Sequence, residues 1–203
     1  MVLPKGYPLE KHITVTGNGY VLVSFRIPFG RSKVSKPGSG VARQPVLLIH
    51  GISLASTCWV VNSDTDSLAF ILANQGGYDV WMMNTRGNTF SRGHETYPTS
   101  DSNYWRFSMD EMATQDLPAI LQYIRAVHIV GHSQGATLAL AMLADKPSLG
   151  SGVGLTVALA PVVYVKYIQS QVMVAFCIQS NVSRSAWASA VGPRGTHEQQ
   201  GCY

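Results

Sequence analysis

The pentapeptide Gly131-His132-Ser133-Gln134-Gly135 constrains the fold of this chain more than any other segment. It follows a β-branched run over residues 127–130 and precedes an alanine-rich, helix-favouring stretch from Ala136 to Ala144. A glycine-x-serine-x-glycine motif between a strand and a helix predicts a sharp turn that lifts the serine hydroxyl above the strand end. A side chain at either flanking glycine would crowd the crossing strand and helix, so we expect Gly131 and Gly135 to be steric requirements. Ser133 is therefore the candidate nucleophile.

A second part of the same site is predicted upstream, where the apolar run Pro45–Ile49 ends in His50-Gly51. Continuous apolar runs of this length are typical of parallel strands buried on both faces. At the end of such a strand, Gly51 would let the backbone approach a bound acyl oxygen, and the N–H of Ile52 could donate to it. The N–H of Gln134 would be the second donor. The alternative is that His50-Gly51 is only a strand end with a turn glycine.

The remaining patterns predict an α/β fold with one mostly parallel sheet and an N-terminal hairpin. Residues 84–103 are expected to form an irregular loop. The expected elements are hairpin strands at His12–Thr16 and Tyr20–Arg26, a helix at Ser67–Asn74, a strand at Tyr78–Met83, a helix at Asp110–Arg125 and a strand at Val153–Leu159.

The chain resembles the acid lipase family of the α/β-hydrolases, the group that contains gastric and lysosomal acid lipases. The resemblance covers about residues 6 to 168, and many separated blocks in one order are more specific than the serine motif alone. The blocks are Gly6-Tyr7-Pro8-Leu9-Glu10, Gly19-Tyr20-Val21-Leu22, Arg26-Ile27-Pro28, His50-Gly51-Ile52, Cys58-Trp59-Val60, residues 67–73, Gly77-Tyr78-Asp79-Val80-Trp81, residues 84–89, residues 104–112, Asp116-Leu117-Pro118, the serine motif and Ala158-Leu159-Ala160-Pro161.

This resemblance implies a lipase that hydrolyses neutral lipid esters, such as triacylglycerols or steryl esters, through a serine acyl-enzyme in lipid degradation. It also implies a substrate met at a lipid–water interface, and a secreted, lysosomal or vacuolar location. We expect no cofactor and no metal. No secretory leader is visible at the start of the sequence, so the location is an expectation from the family only.

The chain departs from the family after the nucleophile, where the family places its catalytic aspartate and then its histidine. After Ser133 there are one aspartate, Asp145, one glutamate, Glu198, and one histidine, His197, and none lies in a family motif. Asp145 falls at the far end of the helix, and His197 lies in a Gly/Pro/Gln-rich tail. We expect neither to act on Ser133. The expected organisation is a partial lipase domain over residues 1–163, the start of a cap over 164–179, and a disordered non-family tail over 180–203.

The connection before the nucleophile strand is unusually short. The predicted helix ends at Arg125 and the strand begins at Val127, whereas helix–strand loops commonly have about 2–6 residues. We expect a small internal deletion here, which would strain the strand that carries Ser133.

Composition excludes several other classes. Charged residues make up only 13% of the chain and the net charge is +4, with basic residues scattered over hairpin and loop, so we expect no nucleic-acid binding. Cys58, Cys177 and Cys202 have neither metal-binding nor disulfide spacing, and Cys58 is expected to be a packed thiol. The most hydrophobic stretch, residues 153–178, is interrupted by proline and polar residues and is not expected to span a membrane.

Three hypotheses remain open from the sequence. The chain is a serine lipase or esterase for neutral lipid esters, a serine hydrolase for another acyl substrate, or a catalytically inactive fragment without the triad aspartate and histidine. Arg86 could bind a polar group of the substrate, but an anchor for loop carbonyls and for Asp116 or Glu111 is favoured because its guanidinium has many donors.

Overall fold

The computed structural model describes residues 1–31, 42–75 and 77–163. The expected cap segment and tail, with Cys177, His197 and Cys202, lie outside the described residues. Within these ranges the elements are strands β1 (Glu10–Val15), β2 (Tyr20–Ile27), β3 (Pro45–Ile49), β4 (Asp79–Met83), β5 (Gly93–His94), β6 (Val127–His132) and β7 (Val153–Leu159), and helices α1 (Leu68–Asn74), α2 (Met109–Glu111), α3 (Leu117–Ile124), α4 (Gln134–Asp145) and α5 (Pro147–Gly150).

The strands form one mixed sheet in the order β1-β2-β4-β3-β6-β7, with the short β5 paired to β2. The hairpin strand β1 is antiparallel to β2, and β2 is antiparallel to β4. From β4 onward every pairing is parallel, so β4, β3, β6 and β7 end at the same edge of the sheet. The predicted α/β fold with an N-terminal hairpin is confirmed.

The centre of the sheet is covered on both faces, as the apolar run of β3 predicted. Alternate residues of β3 belong to two separate clusters. Leu47 and Ile49 pack with residues of α3 and α4, including Leu117 and Leu138. Val46 and Leu48 pack on the opposite face with α1, including Phe70. The ends of β3 and β6 are thereby held in a rigid core, which fixes the positions of the loops that follow them.

The helix before the nucleophile strand has three parts. A capping box between Ser108 and Glu111 begins α2. The Ser108 hydroxyl accepts a backbone N–H of the first helical turn, and the Glu111 carboxylate accepts the backbone N–H of Ser108. A π-helical segment, Met112–Asp116, follows and leads into α3. Pro118 lies in the first turn of α3, a position that proline tolerates.

The junction between α3 and β6 has an unfavourable backbone conformation. Only Arg125 and Ala126 separate the two elements, and both have positive φ, 59° and 35°. This conformation is unfavourable for residues other than glycine, because their Cβ crowds the backbone. The helix therefore ends at Ile124, one residue before the predicted end, and the pairing of β6 with β7 is irregular between Val127 and Ile129.

The segment expected to be an irregular loop, residues 84–103, contains β5 and the start of a 3₁₀-helix, Ser102–Trp105. At the other side of the sheet, β7 has only one described partner and carries exposed leucines, with Leu155 57% and Leu159 39% exposed. Among the described residues, no helix is long and apolar enough to cross a membrane.

We predict that Ala126→Gly stabilises the chain, because glycine adopts positive φ without a Cβ clash. The gain should be about 1 kcal/mol in the free energy of unfolding, measured by urea denaturation. Ala144→Gly is the matched control, since Ala144 is also exposed but is helical, in the last turn of α4. There the same change should cost about 0.5 kcal/mol. A loss of stability in both variants would contradict the strain at the junction.

Candidate active site

The candidate nucleophile, Ser133, lies between the end of β6 and the first residue of α4. Its backbone has φ 52° and ψ −118°, a conformation that non-glycine residues rarely adopt. A serine before a helix usually caps the first turn with its hydroxyl. The Ser133 side chain makes no such cap, while its carbonyl accepts the N–H groups of Ala136 and Thr137 at 3.0 and 3.1 Å. The strained turn thus leaves the half-buried hydroxyl free of its usual helix-capping bond.

The two glycines of the motif permit this turn. A Cβ on Gly131 would lie 2.6 Å from Cα of Ala136, inside the first turn of α4. A Cβ on Gly135 would overlap the carbonyl oxygen of Ile49 and come within 2.7 Å of that of His50. These distances are too short for real carbon atoms. Gly131 is required by the close approach of α4 to the end of its own strand β6, and Gly135 by the close approach of α4 to the end of β3.

The same approach brings Gly51 beside Ser133. A Cβ on Gly51 would lie 3.3 Å from Cβ of Ser133 and 3.0 Å from Nδ1 of His132. The backbone after β3 then turns, and the N–H of Leu54 donates to the Gly51 carbonyl at 3.3 Å. The predicted strand end and the predicted serine turn therefore meet at one edge of the sheet.

The two expected oxyanion donors are the backbone N–H groups that follow Gly51 and Ser133 in the chain. The N–H of Gln134 belongs to the first residue of α4, and the first N–H groups of a helix have no acceptor within it. The N–H of Ile52 follows Gly51 directly. Among the described residues, neither group donates a hydrogen bond. Their joint action on an acyl oxygen remains a prediction, as does the catalytic role of Ser133.

His50 is buried behind this site and uses both ring nitrogens for backbone contacts. Nδ1 lies 2.8 Å from the carbonyl oxygen of Gly51, and Nε2 lies 3.3 Å from the backbone nitrogen of Thr85. The side-chain amide of Asn88 is 3.4 Å from Nε2. Burial lowers the pKa of the His50 imidazole, and the bond to Gly51 opposes this only partly. His50 is thus a neutral ring between two loops.

The loop after β4 is held by a fully buried ion pair. Arg86 donates from its backbone N–H and from Nε to the carboxylate of Asp116, at 3.1 and 2.8 Å. A second guanidinium nitrogen lies 2.6 Å from the same carboxylate, and the guanidinium packs over the ring of Tyr20 at 4.0 Å. Burial raises the pKa of the Asp116 carboxyl, and the Arg86 charge opposes that rise. The structure supports the loop-anchor interpretation of Arg86.

The acidic and basic side chains considered as partners of Ser133 are Asp145 and His197. Asp145 is exposed at the last residue of α4, about 16.5 Å along the helix axis from its first residue, as the sequence predicted. His197 lies outside the described residues. Within the described ranges, no histidine is hydrogen-bonded to the Ser133 hydroxyl.

Sequence reasoning overlooked the contacts that support the site. It treated His50 only as part of a strand-end pair, and it did not connect residues 84–88 with His50. The signal that could have pointed to His50 is a histidine at the end of a buried strand, where an imidazole must find two polar partners.

The Cys58 thiol is half-buried, and burial raises its pKa to about 11, as expected for a packed thiol and not for a reactive one.

Comparison with known proteins gives a consistent picture. A model of the α/β-hydrolase fold matches residues 44–164, and a model of a partial α/β-hydrolase lipase region matches residues 1–63. Human gastric triacylglycerol lipase is 42% identical over 176 residues, covering 84% of this chain and 43% of that protein. Lysosomal acid lipase/cholesteryl ester hydrolase from Macaca fascicularis is 43% identical over 171 residues, covering 81% and 42%. The chain therefore spans less than half the length of these relatives.

Among solved structures, potato epoxide hydrolase I has a TM-score of 0.54 at 20% sequence identity. The match covers 80% of this chain and 43% of that one. Likeness at this identity concerns the fold alone.

We predict that Gly135→Ala disrupts the serine turn. The added methyl group meets backbone carbonyls that cannot move without shifting β3, so the change should cost about 3 kcal/mol or more in the free energy of unfolding. Gly152→Ala is the matched control, because its Cβ would meet only the Leu149 carbonyl oxygen at 3.6 Å. Urea denaturation of both variants provides the comparison. Equal stability of the two would show that α4 does not approach β3 this closely.

We also predict that Asp116→Ala is severely destabilising. It leaves the Arg86 guanidinium buried without its counter-charge, which costs about 3–5 kcal/mol in comparable pairs. Asp64→Ala removes the partner of Arg31 in a partly exposed pair and should cost about 1 kcal/mol or less. Thermal or urea unfolding measures both. Similar losses would contradict the assignment of the Arg86–Asp116 pair as the main anchor of the loop.

Proposed function

The chain belongs to the α/β-hydrolase family, and we propose that it is a carboxylic ester hydrolase of the lipase type, which acts on neutral lipid esters through an acyl-enzyme on Ser133. The observation that carries this proposal is the strained serine turn of Ser133 beside Gly51. The relatives support the substrate class, since their names specify triacylglycerol and cholesteryl ester substrates. A location outside the cell or in a lysosome-like compartment, and action at a lipid–water interface, belong to the same proposal.

The proposed domain division follows the family. Residues 1–163 would belong to one α/β-hydrolase domain, a division that the matches to residues 1–63 and 44–164 support. The assignment of residues 164–179 to a cap and of residues 180–203 to a non-family tail also remains a proposal.

In the proposed reaction the Ser133 oxygen attacks the carbonyl carbon of the ester. As the bond from Oγ to carbon forms, the carbonyl oxygen takes up negative charge, which the N–H groups of Ile52 and Gln134 stabilise. The intermediate then expels the alcohol, which takes a proton, and leaves an acyl group on Ser133. Water hydrolyses this ester in a second pass through the same site, releasing the acid and restoring the hydroxyl.

Both passes need a base that takes a proton from Ser133 or from water. Because no described histidine is bonded to the Ser133 hydroxyl, we expect the 203-residue chain to have at most trace activity. Loss of a triad member typically lowers turnover on the order of 10⁴-fold or more. The inactive-fragment hypothesis therefore describes the expected activity of the 203-residue chain. The lipase hypothesis describes the reaction that the same site would carry out with a base beside Ser133.

We predict that added imidazole rescues Ser133-dependent hydrolysis of p-nitrophenyl butyrate, since a free imidazole can act as the base. Release of p-nitrophenol is measured over a series of imidazole concentrations, and the rate with Ser133→Ala is subtracted to remove the solution reaction. Ser151→Ala, an exposed serine in the loop before β7, is the matched control and should behave like the unsubstituted chain.

Equal rates for the unsubstituted chain and Ser133→Ala at every imidazole concentration would overturn Ser133 as the nucleophile. High turnover without imidazole, abolished by Ser133→Ala, would contradict the expected trace activity and show that the chain supplies its own base. A preference for thioester or peptide substrates over tributyrin would favour the alternative acyl substrates.

A further inference from the structure

We infer that His50 positions the oxyanion donor: its Nδ1–H holds the Gly51 carbonyl in the orientation that turns the Ile52 N–H toward Ser133. This inference rests on the proposed function, because it assigns a positioning role within that site.

The hydrogen bonds fix the protonation of the ring. The backbone N–H of Thr85 can only donate, so Nε2 of His50 must be the acceptor in their 3.3 Å contact. The Gly51 carbonyl can only accept, so Nδ1 must carry the proton in their 2.8 Å contact. Burial favours the neutral ring that this pattern requires. A single tautomer therefore satisfies every backbone partner of the imidazole.

Asn88 reinforces the same arrangement. Its Oδ1 accepts the N–H of Phe90 at 3.0 Å, and its Nδ2 donates to the Leu54 carbonyl at 2.7 Å. These two contacts fix which way the amide faces, so the atom 3.4 Å from Nε2 of His50 is a donor. Nε2 thus faces two donors and can take no proton without losing both contacts.

The peptide between Gly51 and Ile52 transmits this orientation. No cis peptide bond occurs among the described residues, and in a trans peptide the N–H points opposite to the C=O. The Gly51 carbonyl is held by Nδ1 of His50 and by the N–H of Leu54 at 3.3 Å. The Ile52 N–H must therefore point away from His50, and Gly51 lies directly beside Ser133.

The anchor of this arrangement lies outside the site. Thr85 precedes Arg86, whose backbone and side chain both bind Asp116. The Thr85 N–H is consequently fixed against the helical segment 112–116, and through it so is the His50 ring. The geometry also excludes His50 as the missing base, because both nitrogens are already bonded to other groups.

The test uses hexylboronic acid as an oxyanion probe. The serine oxygen adds to boron, its proton leaves to solvent, and the tetrahedral boronate carries the negative charge that the donors bind. The companion ligand is 1-hexanol, which has the same alkyl chain but cannot form an oxyanion. Affinities are measured by calorimetry on the 203-residue chain, on Ser133→Ala, and on the variants described below.

We expect His50→Leu to weaken boronate binding on the order of a hundredfold, the lower end of the effect of losing one oxyanion donor, and to leave hexanol binding unchanged. His50→Asn should recover part of the affinity, since an amide nitrogen can take the place of Nδ1. His50→Gln, whose amide reaches the place of Nε2, should not. His128→Leu, in a half-buried histidine of β6, is the matched control and should bind both ligands normally.

Unchanged boronate affinity in His50→Leu, or equal loss for boronate and hexanol, would overturn the positioning role and leave the proposed function standing. If His50→Leu does not fold, the comparison of His50→Asn with His50→Gln decides, and equal affinities there overturn the role. If the unsubstituted chain and Ser133→Ala bind boronate equally, the proposed function itself fails and the inference falls with it.

Discussion

The close approach of α4 to the end of β3 is the constraint on which the candidate site depends. Gly135 lies against the carbonyl oxygens of Ile49 and His50, with no room for a side chain. This contact places the first turn of α4 over the strand end, and it forces Ser133 into its strained conformation. The strain is offset by the core that holds β3 and β6 together, since β3 is buried on both faces and β6 on one. A rigid sheet therefore supports a turn that an isolated peptide would not adopt.

A buried polar path connects this turn to the helical segment Met112–Asp116. It runs from Asp116 through Arg86 and the Thr85 backbone to His50 and the Gly51 carbonyl. Each step of the path is a hydrogen bond between buried groups, and Nη1 of Arg86 is the one guanidinium nitrogen left without a partner among the described residues. Loss of any of these bonds would leave another buried polar atom unpaired, which costs free energy. Networks of this kind specify a single arrangement more than they add stability. Here the arrangement that is specified is the direction of one peptide group beside the serine.

Local patterns were sufficient for the parts of the molecule that have strong periodicity. The apolar runs of β3 and β4, the alternating hairpin and the strand–turn–helix around Ser133 each predict their own element, and β7 occupies the predicted residues 153–159. The sequence could not show which donor meets which acceptor across the sheet. The contact of His50 with Thr85 joins residues 35 positions apart, and that of Arg86 with Asp116 joins residues 30 apart. Such pairings follow from the packing of the completed sheet and leave no periodic signal.

The serine turn also depends on the strand that has the least support among the described residues. The N–H of Ser133 donates to the carbonyl of Leu159 at 2.8 Å, so the last residue of β7 holds the turn from one side. Thr137 of α4 donates to the carbonyl of Val162 at 2.7 Å, and Ala160 between them has a positive φ of 46°. Because β7 pairs only with β6 within these residues, fraying of β7 would release the turn before the core unfolds. Interactions that secure β7 therefore also stabilise the backbone of the candidate nucleophile.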